Sequence, residues 1–118
     1  MQRLIIEMAI GTDLHGQDYT KAACRAVEQA LRHASLPALS LPGMDQAEIR
    51  VHIGVQDPDR VDKQAVAACL PRSGADVTVA LGGLDVAVEE GSIGAVTASA
   101  AIEVFLPKQD SWRLRPTD

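Results

Sequence analysis

Apolar and polar positions alternate along residues 3–10. Leu4, Ile6, Met8 and Ile10 fall on one side, and Arg3, Ile5, Glu7 and Ala9 on the other. A period of two predicts a strand with the aliphatic set turned inward. Over 18–34 the period lengthens. Tyr19, Ala22, Ala23, Ala26, Val27, Ala30, Leu31 and Ala34 recur at helical spacing, and Asp18 stands where an N-cap belongs. Residues 35–45 hold two prolines and a glycine and read as an extended connection. Alternation returns over 48–56, with Ile49, Val51, Ile53 and Val55 opposed to Glu48, Arg50, His52, Gly54 and Gln56. A turn over 57–62 leads into a second helix, capped by Asp59 or Asp62 and ending at Pro71. Residues 75–88 predict a third strand with a break at Gly82-Gly83, and 89–94, with Glu89 and Glu90, a turn. The last strand, 95–106, sets Val96, Ala98, Ala100, Ile102, Val104 and Leu106 against Thr97, Ser99, Ala101, Glu103 and Phe105.

The order β-α-β-α-β-β predicts an α+β two-layer sandwich with a mixed sheet. Right-handed crossovers make the first three strands largely parallel and put both helices on one face, and the last two strands form an antiparallel hairpin. Residues 1–106 form one domain, and 107–118 an irregular tail that holds Trp112.

Composition narrows the function classes. Of 118 residues, 47% are hydrophobic but only three are aromatic, so the core is built from small side chains. The net charge is −5 and the basic residues are scattered, which argues against nucleic acid. No run approaches the ~18 apolar residues of a membrane span. The N-terminal apolar stretch is short and interrupted by Glu7, unlike a secretion signal. Cys24 and Cys69 fall in helical patterns and read as reduced residues of a cytoplasmic protein. The segment "GGLDVAVEEGSIG" lacks the phosphate-loop lysine, and no cofactor is expected.

The face that the helices leave uncovered carries Arg3, Glu7, Glu48, Arg50, His52, Gln56, Asp76, Thr78, Thr97, Ser99 and Glu103, mixed with Ile5, Ala9, Ala80, Ala101 and Phe105. Parallel strands seldom leave a face to water, so a homo-oligomer is expected, with a trimer as the leading arrangement.

The candidate chemistry lies in "GTDLHGQD", residues 11–18. Gly11 lets the chain leave the strand, and Gly16 offers a positive φ ahead of the helix. Asp13 and His15 then sit over the C-terminal end of the first strand, facing helix N–H groups that favour an anion. A histidine beside a carboxylate suits acid–base chemistry near neutral pH. Asp13 and His15 are the candidate catalytic pair. Gly11, Gly16, Gln17, Glu7, Arg50 and His52 are candidate ligand-binding residues for a small polar or anionic molecule, in a hydrolase- or isomerase-type reaction at a cleft between subunits. Two alternatives stay open. Asp13 and His15 can form a rigid corner of a purely structural assembly subunit. They can also serve a non-catalytic ligand or metal site, with His52 and Asp57 as further donors. His33 reads as a solvated helix residue.

The stretch Ala9-Ile10-Gly11-Thr12-Asp13-Leu14-His15-Gly16 resembles the G-x-G-x-D-x-H-G hallmark of a small family of conserved hypothetical proteins, the Lin family, with Ala9 in place of the first glycine. That resemblance runs through the last strand and implies no particular activity. At the level of fold, the element order is similar to that of the bacterial-type chorismate mutases and the YjgF proteins. Their likeness implies trimers with sites in the clefts between subunits.

Overall fold

The computed structural model describes residues 1–33, 39–40, 42–88, 92–111 and 116. In chain order its elements are β1 (Gln2–Asp13), α1 (Tyr19–Leu31), β2 (Glu48–Val55), α2 (Lys63–Ala68), β3 (Asp76–Leu81), β4 (Leu84–Ala87) and β5 (Ile93–Leu106). Single 3-10 turns at Met44–Gln46 and Pro58–Arg60 precede β2 and α2. The fold is α+β with one mixed, open sheet. Trp112, Ala34, Glu89 and Glu90 lie outside the described residues.

The strand order is β1-β5-β2-β3, with β4 paired to β5. β5 runs antiparallel to both β1 and β2, and β2 pairs β3 in parallel. The first three strands therefore share one direction, as expected, but β5 is inserted between the first two. The expected hairpin is the antiparallel pair β4–β5. The break falls at Gly82-Gly83, where Gly83 has φ +64° and a β-carbon would lie 2.1 Å from the Thr97 carbonyl oxygen. Only glycine turns the chain there, letting β3 stay on β2 while β4 crosses to β5.

α1 is amphipathic with small residues inward: Ala22, Ala23, Ala26, Val27 and Ala30 are fully buried. Asp18 caps it by accepting the Lys21 N–H at 3.0 Å. α2 is shorter than expected and is capped by Asp62, whose Oδ1 accepts the Gln64 and Ala65 N–H groups. The helices touch through the Cys24 thiol and the Ala65 carbonyl, 3.7 Å apart. The core between layers joins these residues to Ile49, Val51, Ile53, Val55, Ile102 and Val104.

One expectation is overturned. On β1 the inward set is Ile5, Glu7, Ala9, Gly11 and Asp13, which lie opposite buried β5 residues from Val104 to Val96. Leu4, Ile6, Met8 and Ile10 point away from the helices and are 41%, 44%, 65% and 66% exposed. The cause is a register shift between Arg3 and Ile5. Arg3 stays on the open face, but one extra residue turns every later side chain to the opposite side. Close helix packing accounts for the choice. A β-carbon on Gly11 would lie 2.2 Å from Ala26 N and 2.4 Å from the Ala22 carbonyl, so an isoleucine or methionine has no room under α1. Glu7 accordingly leaves the open face and binds His33 Nδ1 at 2.8 Å. His33 is therefore paired rather than merely solvated.

Candidate functional site

The loop after β1 is built around Asp13. Its strand position carries it beneath α1, where only 5% of the residue is exposed. Oδ2 accepts the N–H groups of Asp18 (2.9 Å) and Gly16 (3.1 Å), and Arg25 Nη1 lies 3.5 Å from Oδ1 while donating to the Thr12 carbonyl at 2.6 Å. The Asp18 N–H above all, with Lys21, the Gly16 N–H and Arg25, holds the Asp13 carboxyl below its ordinary range against the opposing effect of burial. Asp13 thus closes the loop into a fixed turn.

Gly16 is required for space rather than for a positive φ: a β-carbon would sit 2.8 Å from Asp13 Oδ2. The left-handed residue is Gln17, at φ +50°, whose side-chain amide donates to the Ile93 carbonyl at 2.5 Å. His15 is exposed on the loop. The helix N-terminus behind it already faces two carboxylates, Asp13 and the capping Asp18, which makes it a poorer anion site than its sequence suggests.

Behind the loop is a cluster that the sequence did not single out. Tyr19 Oη donates to Asp85 Oδ2 at 2.5 Å, and Asp85 Oδ1 is buried with no hydrogen-bond partner among the described residues. Arg60 lies over the Tyr19 ring at 5.1 Å and donates to the Gln17 carbonyl at 3.5 Å. Tyr19 is pushed up to about 12, first by the bond to Asp85 and then by burial.

Arg50 and His52 do face out from the open side of β2, as expected. Arg50 stacks on Phe105 at 4.3 Å. His52 bonds Glu103 and Thr78. These residues do not converge on the loop. His52 is level with Ala101 and hence with Met8, well short of Asp13 along the ladder. A small depression of about 50 Å³, lined by Gln2, Arg3, Leu4, Leu106, Pro107 and Gln109, lies at the far end of β1 from the loop. Among the described residues no group of three or more His, Cys, Asp or Glu side chains is placed to hold a metal ion. No described helix is long and apolar enough to cross a membrane.

The motif-bearing loop and the strands around it lie within residues 3–104, the part of the chain matched by a family described as conserved hypothetical protein (Lin0512_fam). The chain belongs to this family. Among solved structures, this chain resembles an FtsZ-like protein of unknown function from Nostoc punctiforme PCC 73102. The two are 36% identical with a TM-score of 0.74, over 87% of this chain and 93% of that one. No curated protein matches this chain.

Proposed function

We propose that the chain is a subunit of a homo-oligomer, a trimer, that associates through the β1 side of its open sheet face. The cleft beside the loop then binds or converts a small polar or anionic molecule. The observation that carries this reading is the stripe Leu4, Ile6, Met8 and Ile10, four large aliphatic side chains left to solvent along one strand. Covering apolar surface is worth roughly 25 cal/mol per Å², and a contiguous exposed patch of this kind marks an interaction surface. β1 is also an edge of the sheet, and a long apolar edge strand tends to find a partner.

In this reading Asp13 anchors the loop, and His15 is the exposed acid or base of a hydrolase- or isomerase-type step. Light scattering on the purified chain tests it. The wild type is expected at the trimer mass, and Met8→Lys or Ile10→Lys at the monomer mass. A monomeric wild type, or charged variants that keep the wild-type mass, would remove the reading.

The three partners of Asp13 favour a second reading, a rigid corner in a purely structural assembly subunit. There Asp13→Ala lowers stability, while His15→Ala leaves both mass and stability unchanged and no small-molecule binding is found.

A further inference from the structure

Across the open face, three side chains from three strands stand in line. β2 lies between β5 and β3, with His52 opposite Thr78 on one side and diagonal to Glu103 on the other. His52 Nε2 is 2.5 Å from Glu103 Oε1, and His52 Nδ1 is 3.1 Å from Thr78 Oγ1. The second Glu103 oxygen takes Arg3 Nη1 at 3.3 Å. The bond from His52 above all, together with Arg3, keeps the Glu103 carboxyl below its ordinary range against partial burial.

The donor roles follow from these contacts. A neutral imidazole carries one N–H. So short a contact with a carboxylate requires that hydrogen on Nε2. Nδ1 is then left as a lone pair facing the Thr78 hydroxyl, whose alternative acceptor, the Val51 carbonyl, is more distant at 3.5 Å. A hydroxyl bonded to an imidazole that a carboxylate orients is the arrangement that activates a nucleophile.

We propose that Thr78 is an acyl-accepting nucleophile, with His52 as its base and Glu103 as the positioning residue, acting on activated esters or thioesters of small carboxylic acids. Thr78 Oγ1 forms a bond to the carbonyl carbon as its proton passes to His52 Nδ1. The bond from that carbon to the leaving oxygen or sulfur breaks, and the leaving group departs with the electron pair and takes the proton from His52. The product is an acyl ester on Thr78. Water, deprotonated by the same nitrogen, then bonds to the acyl carbon, the Thr78 Oγ1–carbon bond breaks, Oγ1 takes the proton back from His52, and the free carboxylic acid leaves. All three residues belong to one chain. Thr78 lies on β3, at the other end of the strand order from β1, while Glu103 on β5 stands opposite Ile6 of the apolar stripe.

The test uses p-nitrophenyl acetate with the full chain, following nitrophenolate release and mapping the acetyl group by peptide mass spectrometry. The wild type, quenched with acid during turnover, is expected to carry one acetyl group on Thr78. Thr78→Ser should keep the label, and the isosteric Thr78→Val should lose it. His52→Ala should slow labelling by roughly a hundredfold or more, with recovery on adding free imidazole. Glu103→Gln, which keeps the shape but loses the charge, should slow labelling without that recovery. Acetylation confined to lysines or the N-terminus, labelling of Thr78→Val at the wild-type rate, or a His52→Ala variant as reactive as the wild type would each overturn the proposal. Circular dichroism checks that Thr78→Val is folded, and labelling of Thr78→Ser would be a positive result that misfolding cannot mimic.

Discussion

Gly11 and Ala26 meet backbone to backbone: a β-carbon on Gly11 would lie 2.2 Å from the Ala26 nitrogen. The strand end that carries the loop is thereby pressed against the first half of α1. Gly11→Ala is expected to destabilise the fold by about 1–3 kcal/mol, because the helix must lift to admit a methyl group. Chemical denaturation of the two proteins measures the difference. An unchanged midpoint would mean that the helix does not sit this close.

Asp13 links stability to acid. Its carboxyl is held below the ordinary value of 3.8, foremost by the Asp18 N–H. A group with a depressed folded-state value stabilises above its unfolded value, and that stabilisation is lost as pH falls through the folded value. The melting temperature of the wild type should therefore exceed that of Asp13→Asn at neutral pH, and the gap should narrow as the pH drops below 3.8. A constant gap would show that the charge of Asp13 is not what the loop uses.

Tyr19 makes the opposite prediction at alkaline pH. It is the chain's single tyrosine, and its hydroxyl is pushed up from 10.0 to about 12. The unfolded chain loses this proton first, so stability should decline as pH rises from 10 toward 12. Ultraviolet difference absorbance should show the phenolate appearing near 12 in the folded protein and near 10 in denaturant. Tyr19→Phe leaves the half-buried Asp85 carboxylate without its donor and should cost about 1–3 kcal/mol.

Cys24 should be unreactive. Its thiol is pushed up to about 12, first by burial and then by the bond to Cys69. Both thiols converge on the Ala65 carbonyl, at 3.7 and 3.4 Å. Alkylation of Cys24 by iodoacetamide at mildly alkaline pH is expected to be at least ~100-fold slower than that of an ordinary exposed thiol, since the thiolate is the nucleophile. Cys69→Ala should speed it. Labelling at the rate of a free thiol would show that α1 and α2 do not shield the pair.

Periodicity alone determined the elements and much of their burial. The α1 stripe from Tyr19 to Ala30, the Asp18 cap, the inward sets of β2 and β5, and the break at Gly82-Gly83 are all local: side-chain spacing, a capping oxygen and glycine's freedom decide each within a few residues. The same local character made the "GTDLHGQD" loop visible, because its glycines and charged groups are neighbours in the chain. What the loop does with them was not local. Asp13 is consumed by backbone N–H groups and by Arg25, while His15 is left exposed. The alternation of residues 3–10 is equally regular in either orientation. Which half faced the core was decided by one extra residue between Arg3 and Ile5 and by the lack of room between Gly11 and α1. The insertion of β5 between β1 and β2, and with it the line Thr78–His52–Glu103, depends on pairings between residues 25 or more apart in sequence. Only the tertiary structure decides these, because strand order follows from which faces can be covered together, and no single segment's pattern carries that information.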